Sequence, residues 1–242
     1  MTKETLGKYL KELINAIIAG LLISLGSIVF ISCTASGVKP LGVFLFSTGL
    51  LLIMLNGYSL VTGKNGYILD NKPTYLIECL ISWIGNFIGT FLTSLVISNT
   101  RICDITFDSF SVSFMSTLES ICQARLNDNY LSLIILGFFC GMLIFFAVNT
   151  YKKAEQPIAK FVMTFLCIAL FIYCNFEHCV ADMCYFNLYA FTHNFTNYGQ
   201  YMICLLFITL GNVLGGIFIP GLTILRDKIN KKPKDIGEEK KA

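Results

Sequence analysis

Cys174–Phe186 reads "CNFEHCVADMCYF" and sets Glu177, His178 and Asp182 within one of the most apolar parts of the chain. The run leading into it, "MTFLCIALFIYC" (Met163–Cys174), carries no charge at all. An ionisable side chain at membrane depth costs roughly 2.5–3.5 kcal/mol on insertion scales, so it faces a cavity or a partner. Fold and function both turn on what this segment does with three of them.

The wider composition says lipid. Of 242 residues, 55% are hydrophobic and 14% charged, against about 25% charged in soluble domains. Mean hydropathy is +0.69. A net charge of +3 is too small to argue for nucleic acid, and the basic residues gather at chain ends and in loops, a topology signal. Met1–Lys11, "MTKETLGKYLK", is a mixed-charge, weakly helical lead-in to a spanning run, so no cleavable signal is expected. Cys33, Cys79, Cys140, Cys167 and Cys204 lie in apolar runs, where a thiol is a small hydrophobe. Cys103 and Cys122 fall in a polar loop and could pair.

Apolar runs long enough for a ~30 Å hydrocarbon core are Leu13–Cys33, Leu41–Leu60, Tyr75–Ser98, Leu131–Thr150, Phe161–Cys184 and Tyr201–Leu225. The expectation is an all-α membrane protein of six transmembrane helices, with a channel domain over 1–225. Asn99–Tyr130, between spans three and four, is polar and long enough to hold a short surface helix. Arg226–Ala242, "RDKINKKPKDIGEEKKA", reads as a solvated, disordered basic tail. Six spans put both termini on one side. That side takes every Lys and Arg except Lys39, Arg101 and Arg125, so both termini are expected in the cytoplasm of a cell-membrane protein.

"IGNFIGT" (Ile84–Thr90) closes the first three spans and "LGNVLGG" (Leu210–Gly216) the last three. Three spans per half give the halves, about 13–98 and 131–225, opposite orientations, the mark of an inverted 3+3 repeat. Gly85/Gly89 and Gly211/Gly215 would allow close helix approach. The middle span of each half is interrupted, by "NGYSLVTGKNGY" (Asn56–Tyr67) and by Cys174–Phe186. Broken helices need a protein-lined or wet cavity, and in corresponding positions they mark a transport site.

His178 is one of two histidines, the other being His193 in an expected outer loop. It reads either as a pore group or as a neutral ring satisfying a backbone carbonyl. Thr62 reads as a hydroxyl donor to an anion or to the facing imidazole, or as a backbone cap. Glu177 cannot share the helical face of His178 and reads as an anchor of the broken backbone. Cys174, His178, Cys179 and Cys184 fit no structural zinc spacing, and neither a metal nor a cofactor is expected.

These residues carry a resemblance to the formate/nitrite transporter family, whose members pass formate, nitrite, hydrosulfide and, in some cases, lactate. "NGYSLVTG" resembles the family's break in the second helix, and "NFEHCVADM" its fifth-helix motif. "WIGNFIG" and "LGNVLGG" resemble its third- and sixth-helix Gly-Asn motifs. The resemblance implies an aquaporin-like homopentamer with one pore per protomer. By position, His178 resembles the central pore histidine and Thr62 the threonine facing it. Leu60, Phe171, Phe46 and Leu50 fall at the apolar constrictions, and Asn212 at a supporting asparagine. Arg125 stands where the family has a lysine, and Gly141 where it has that lysine's asparagine partner. Val61 replaces a phenylalanine and Asp182 an asparagine.

The resulting expectation is a channel for small monovalent anions or their neutral acids, with formate first and nitrite, hydrosulfide, acetate or lactate as alternatives. The anion meets His178 beyond a positively polarised vestibule and crosses the dry constrictions as the neutral acid; whether His178 itself gives the proton is open. The alternatives are an aquaporin-like neutral solute channel, which lacks paired Asn-Pro-Ala breaks here, and a membrane redox enzyme using the cysteines, which lacks CxxC.

Overall fold

The computed structural model describes residues 2–107 and 112–230. Within them run nine α-helices: α1 (Lys3–Ala35), α2 (Lys39–Asn56), α3 (Val61–Asn65), α4 (Tyr75–Ile97), α5 (Phe114–Leu126), α6 (Tyr130–Lys153), α7 (Pro157–Tyr173), α8 (Cys179–Thr192) and α9 (Tyr198–Asn230). A short antiparallel pair, β1 (Thr106–Phe107) with β2 (Val112–Ser113), precedes α5. The mixed-charge lead-in is helical from Lys3, where Thr2 Oγ1 accepts from the Thr5 N–H and caps α1.

Five of the described helices, α1, α2, α4, α6 and α9, are long and apolar enough to cross a membrane. The expected fifth span is divided: α7 has 17 residues and α8 has 14. The expected second span stops being helical at Asn56, where Gly57 turns the chain at φ 69°, and helix resumes at Val61. The α7–α8 junction turns through Asn175 at φ 54°, a conformation Asn tolerates better than most residues.

α1 packs against α2 and α4, while α6 packs against α7 and α9. The two short pieces change sides, α3 contacting α6 and α9, and α8 contacting α4 and α1. Glycine sets the closest approaches. A Cβ at Gly89 would collide with the Ile17 carbonyl of α1, and one at Gly215 with the Phe138 carbonyl of α6. Polar side chains lie inside, with Ser24, Asn86, Thr90, Asn187 and Asn212 fully buried, while Leu80, Val96, Leu131, Leu206 and Leu222 face outward. That inversion suits a lipid surround around a polar interior.

Two sequence-based expectations need correction, on the α5 helix and the tail, and the open question of Cys103 and Cys122 has an answer. The helix between spans three and four does not merely lie on the surface, since Phe114, Leu118 and Cys122 of α5 are fully buried. Cys103 and Cys122 are both free thiols; Cys122 Sγ donates to the Tyr185 carbonyl at 3.6 Å and Cys103 Sγ to that of Ile97 at 3.5 Å. Finally, α9 stays helical through Asn230, past the expected start of a disordered tail, with Arg226 and Asp227 paired at 2.8 Å. Residues 231–242 of that tail lie outside the described residues.

Candidate functional site

Two asparagines splint the two interruptions in the same way. Asn86 of α4 accepts from the Val61 N–H at 2.9 Å and donates to the carbonyls of Ser59 (2.9 Å) and Ala16 (2.8 Å). Asn212 of α9 accepts from the Cys179 N–H at 2.8 Å and donates to the carbonyls of Glu177 and Gly137, both at 2.8 Å. Each amide thus satisfies backbone groups on either side of one residue, Leu60 or His178, that helix geometry leaves unpaired. The sequence reading gave Asn212 a supporting role and gave Asn86 none, although the recurring Gly-Asn was in view.

The splints bring Thr62 and His178 together. Both are buried, at 0% and 2% exposure. Thr62 Oγ1 lies 2.9 Å from His178 Nε2, and the Ala181 N–H donates to His178 Nδ1 at 3.2 Å, so the imidazole caps α8. An Nδ1 that accepts leaves the proton of the neutral ring on Nε2, aimed at Thr62 Oγ1. The Thr62 O–H then remains for a further acceptor. Protonating Nδ1 would set two N–H groups head to head and lose the cap.

A cavity of about 580 Å³ reaches His178. Phe46, Phe171 and His178 line it together with Lys39, Arg125, Asp128, Glu177 and Asp182. Phe171 meets Phe46 edge-on at 6.1 Å and stacks on the His178 ring at 5.6 Å. Of the expected constriction residues, Phe46 and Phe171 are at the wall of the cavity. Leu50 and Leu60, at 1% and 3% exposure, are buried but are not part of its lining, nor is Thr62.

Arg125 departs most from expectation. Its Nε donates to Asp182 Oδ1 at 2.6 Å, and its Nη2 pairs with Glu177 Oε2 at 2.5 Å, off the line of a well-aligned hydrogen bond. Nη1 donates to the Ile121 carbonyl at 2.8 Å, and the guanidinium lies over the Tyr185 ring. Burial works against the Arg125 charge, but Asp182 and Glu177 outweigh it and hold the guanidinium's proton more tightly than usual. With Arg125 and Lys39 set against Asp128, Glu177 and Asp182, the side chains do not give the cavity the positive polarisation expected of the vestibule. Nor does the Glu177 carboxyl serve as a backbone anchor. Its carbonyl does that through Asn212, while the side chain holds Arg125 in the same cavity as His178. Gly141 has no part in the arginine's bonding; it lets α6 close onto the backbone of Asn212.

A second ion-pair group fixes α3 from the other direction. Lys64 pairs with Glu12 Oε1 at 2.8 Å and Glu78 Oε2 at 3.4 Å, and Glu78 also holds Lys8. Ser82 donates to Glu12 as well. Lys64 is two residues from Thr62, so α1 and α4 both hold the short helix that carries the hydroxyl. In the sequence these residues were only charges to be counted for topology.

The architecture has known counterparts. A family described as formate/nitrite transporter matches residues 1–225. A formate-nitrite transporter of Entamoeba histolytica is 24% identical over 227 residues, covering 86% of this chain and 62% of that protein. The nitrite transporter NirC of Salmonella typhimurium is 28% identical over 188 residues, covering 73% and 66%. The matched stretch is thus just under two thirds of the length of both relatives. A solved structure of a pentameric formate channel with formate bound superposes with a TM-score of 0.78 at 22% identity, covering 93% of this chain and 99% of that one.

Proposed function

Because the chain belongs to the formate/nitrite transporter family, we propose that it is a membrane channel for small monovalent weak-acid anions, with formate the first choice. Nitrite, hydrosulfide, acetate and lactate are the alternatives. The observation that carries this reading is the Thr62–His178 contact, with His178 on the wall of a cavity that Phe46 and Phe171 also line; in this reading the two rings seal it. A charged anion cannot cross such a seal cheaply, whereas its neutral acid can. An anion losing hydration gains proton affinity as it approaches. The Thr62 hydroxyl, its oxygen held by the His178 Nε2–H, is then the polar group offered at the point of greatest desolvation.

The same proposal includes six spans in an inverted 3+3 repeat with broken second and fifth helices. It draws support from the matched bonding of Asn86 and Asn212 and from α3 and α8 exchanging sides. Both termini in the cytoplasm follow from the placement of lysine and arginine. A homopentamer in a cell membrane, one pore per protomer, is supported by the likeness to the formate channel. The neutral His178 and the compensated Arg125 recast the proton linkage: the imidazole orients the Thr62 hydroxyl that meets the acid, and the proton comes from outside the seal.

Stopped-flow uptake by proteoliposomes offered the five acids, with water and glycerol swelling as controls, tests the reading. Formate-driven internal acidification well above empty liposomes is expected. Swelling in glycerol without any acid flux would establish the neutral-solute alternative instead.

A further inference from the structure

The proton of the transported acid needs a source, and the bonding of His178 makes it a poor one. Its Nδ1 accepts from the Ala181 N–H, and releasing the Nε2 proton would leave an imidazolate. The carboxyls of Glu177 and Asp182, on the wall of the same cavity, offer another.

These two carboxyls share one guanidinium, Glu177 through Nη2 and Asp182 through Nε. Glu177 is 5% exposed and Asp182 not exposed at all. If both were ionised, the buried group would carry an uncompensated negative charge, which proteins avoid. Asp182 Oδ2 has no hydrogen-bond partner among the described residues, and Glu177 Oε2 has no aligned one. One proton held by the pair removes the excess charge, leaving one carboxylate for the one guanidinium. The other ionisable groups facing the pair are Cys122 from α5, Cys140 from α6, Cys204 from α9, and Cys179 and Tyr185 from α8. His178, Lys39 and Asp128 face the same cavity. Arg125 is the cation paired with both carboxyls.

We propose that Glu177 and Asp182 hold one proton between them against Arg125, and that this is the proton the vestibule offers an incoming anion before it reaches the Phe46–Phe171 seal. The O–H bond of the carboxylic acid breaks as an O–H bond forms on an oxygen of the anion. The neutral acid moves on past His178, and the pair, left with two negative charges on one guanidinium, takes its next proton from the bulk solvent on the cavity side, where hydronium supplies it and water is left. Asp182 makes this possible, because Glu177 alone would be balanced by Arg125 and would hold no proton to give. The proposal rests on the transport reading of the same site.

The test is infrared difference spectroscopy of the purified channel in lipid, which does not depend on transport. A carboxylic-acid C=O band is expected at neutral pH, shifting in D2O and lost in both Asp182→Asn and Glu177→Gln, since each leaves one carboxyl for one guanidinium. Its absence from the wild type, or its persistence in Asp182→Asn, would overturn the proposal. Should a variant fail to assemble, the pH titration of the wild-type band decides: a band missing at neutral pH and arising only in acid overturns it. In proteoliposomes, Asp182→Asn should move formate several-fold more slowly at neutral external pH and recover as external pH is lowered. A wild-type flux in that variant would overturn the donor role even with the band present. A wild type that shows the band but moves no weak acid would instead overturn the transport reading.

Discussion

Thr62 Oγ1 and His178 Nε2 lie 2.9 Å apart although 116 residues separate them in the chain. Each sits just after a point where a helix stops and restarts, Thr62 in the first turn of α3 and His178 as the cap of α8. The contact therefore depends on how firmly the two interruptions are held.

Asn212→Ala removes three buried hydrogen bonds and leaves the Cys179 N–H and the Glu177 carbonyl at the interruption without their partner. At about 1 kcal/mol net per bond, and more for each orphan, the loss is roughly 3 kcal/mol or greater. Asn86→Ala should cost a similar amount by the matching set. Thermal unfolding in detergent checks this. Either variant melting within a degree of wild type would contradict the splint role.

Arg125→Met strands two buried carboxyls. Removing one partner of a buried ion pair costs about 3–5 kcal/mol. Adding Asp182→Asn to Arg125→Met should restore part of that, since fewer carboxyls then lack a cation, so the double variant should be more stable than the arginine change alone. A double-mutant cycle on melting temperature measures the coupling. Additive losses would mean the pair contributes nothing through its charge.

Phe171→Ala takes away a ring that touches both Phe46 and His178. A buried Phe→Ala change costs about 3–5 kcal/mol in a packed core, less here because one face borders the cavity. Water and acids larger than formate should leak faster through the variant, measured by swelling and by acetate flux. Unchanged selectivity would remove Phe171 from the barrier.

How far sequence reaches can be seen residue by residue. The long apolar runs gave the spanning helices because hydropathy over about 20 residues is a local property. The Gly57 and Asn175 interruptions were also local, marked by polar and turn-forming residues inside apolar runs. Ends were less legible: α1 begins at Lys3 because a capped mixed-charge segment is a sound helix start even where it is not apolar. Partners were the hidden part. Asp182 was left without a role because its cation is 57 residues away on α5. Asn86 passed as part of a glycine motif because its bonds run to Ala16 and Ser59. Cys122 was read as part of a polar loop, since the burial of one face of α5 is decided by α1 and α8 packing on it.

The most direct test of the pore is formate flux against external pH for wild type, His178→Asn and Thr62→Val, in parallel proteoliposomes. Asparagine is a preferred N-cap, so His178→Asn keeps α8 capped while taking the Nε2–H away from Thr62. Thr62→Val keeps the shape and removes the hydroxyl. Hydrogen bonds between neutral groups contribute about 0.5–1.5 kcal/mol, so His178→Asn should lower formate flux by about two- to tenfold. Thr62→Val should lower it by a similar factor, and both variants should keep the wild-type oligomer. Curves for both variants that superimpose on the wild type across the pH range would contradict a pore at this pair and leave His178 as nothing more than the cap of α8.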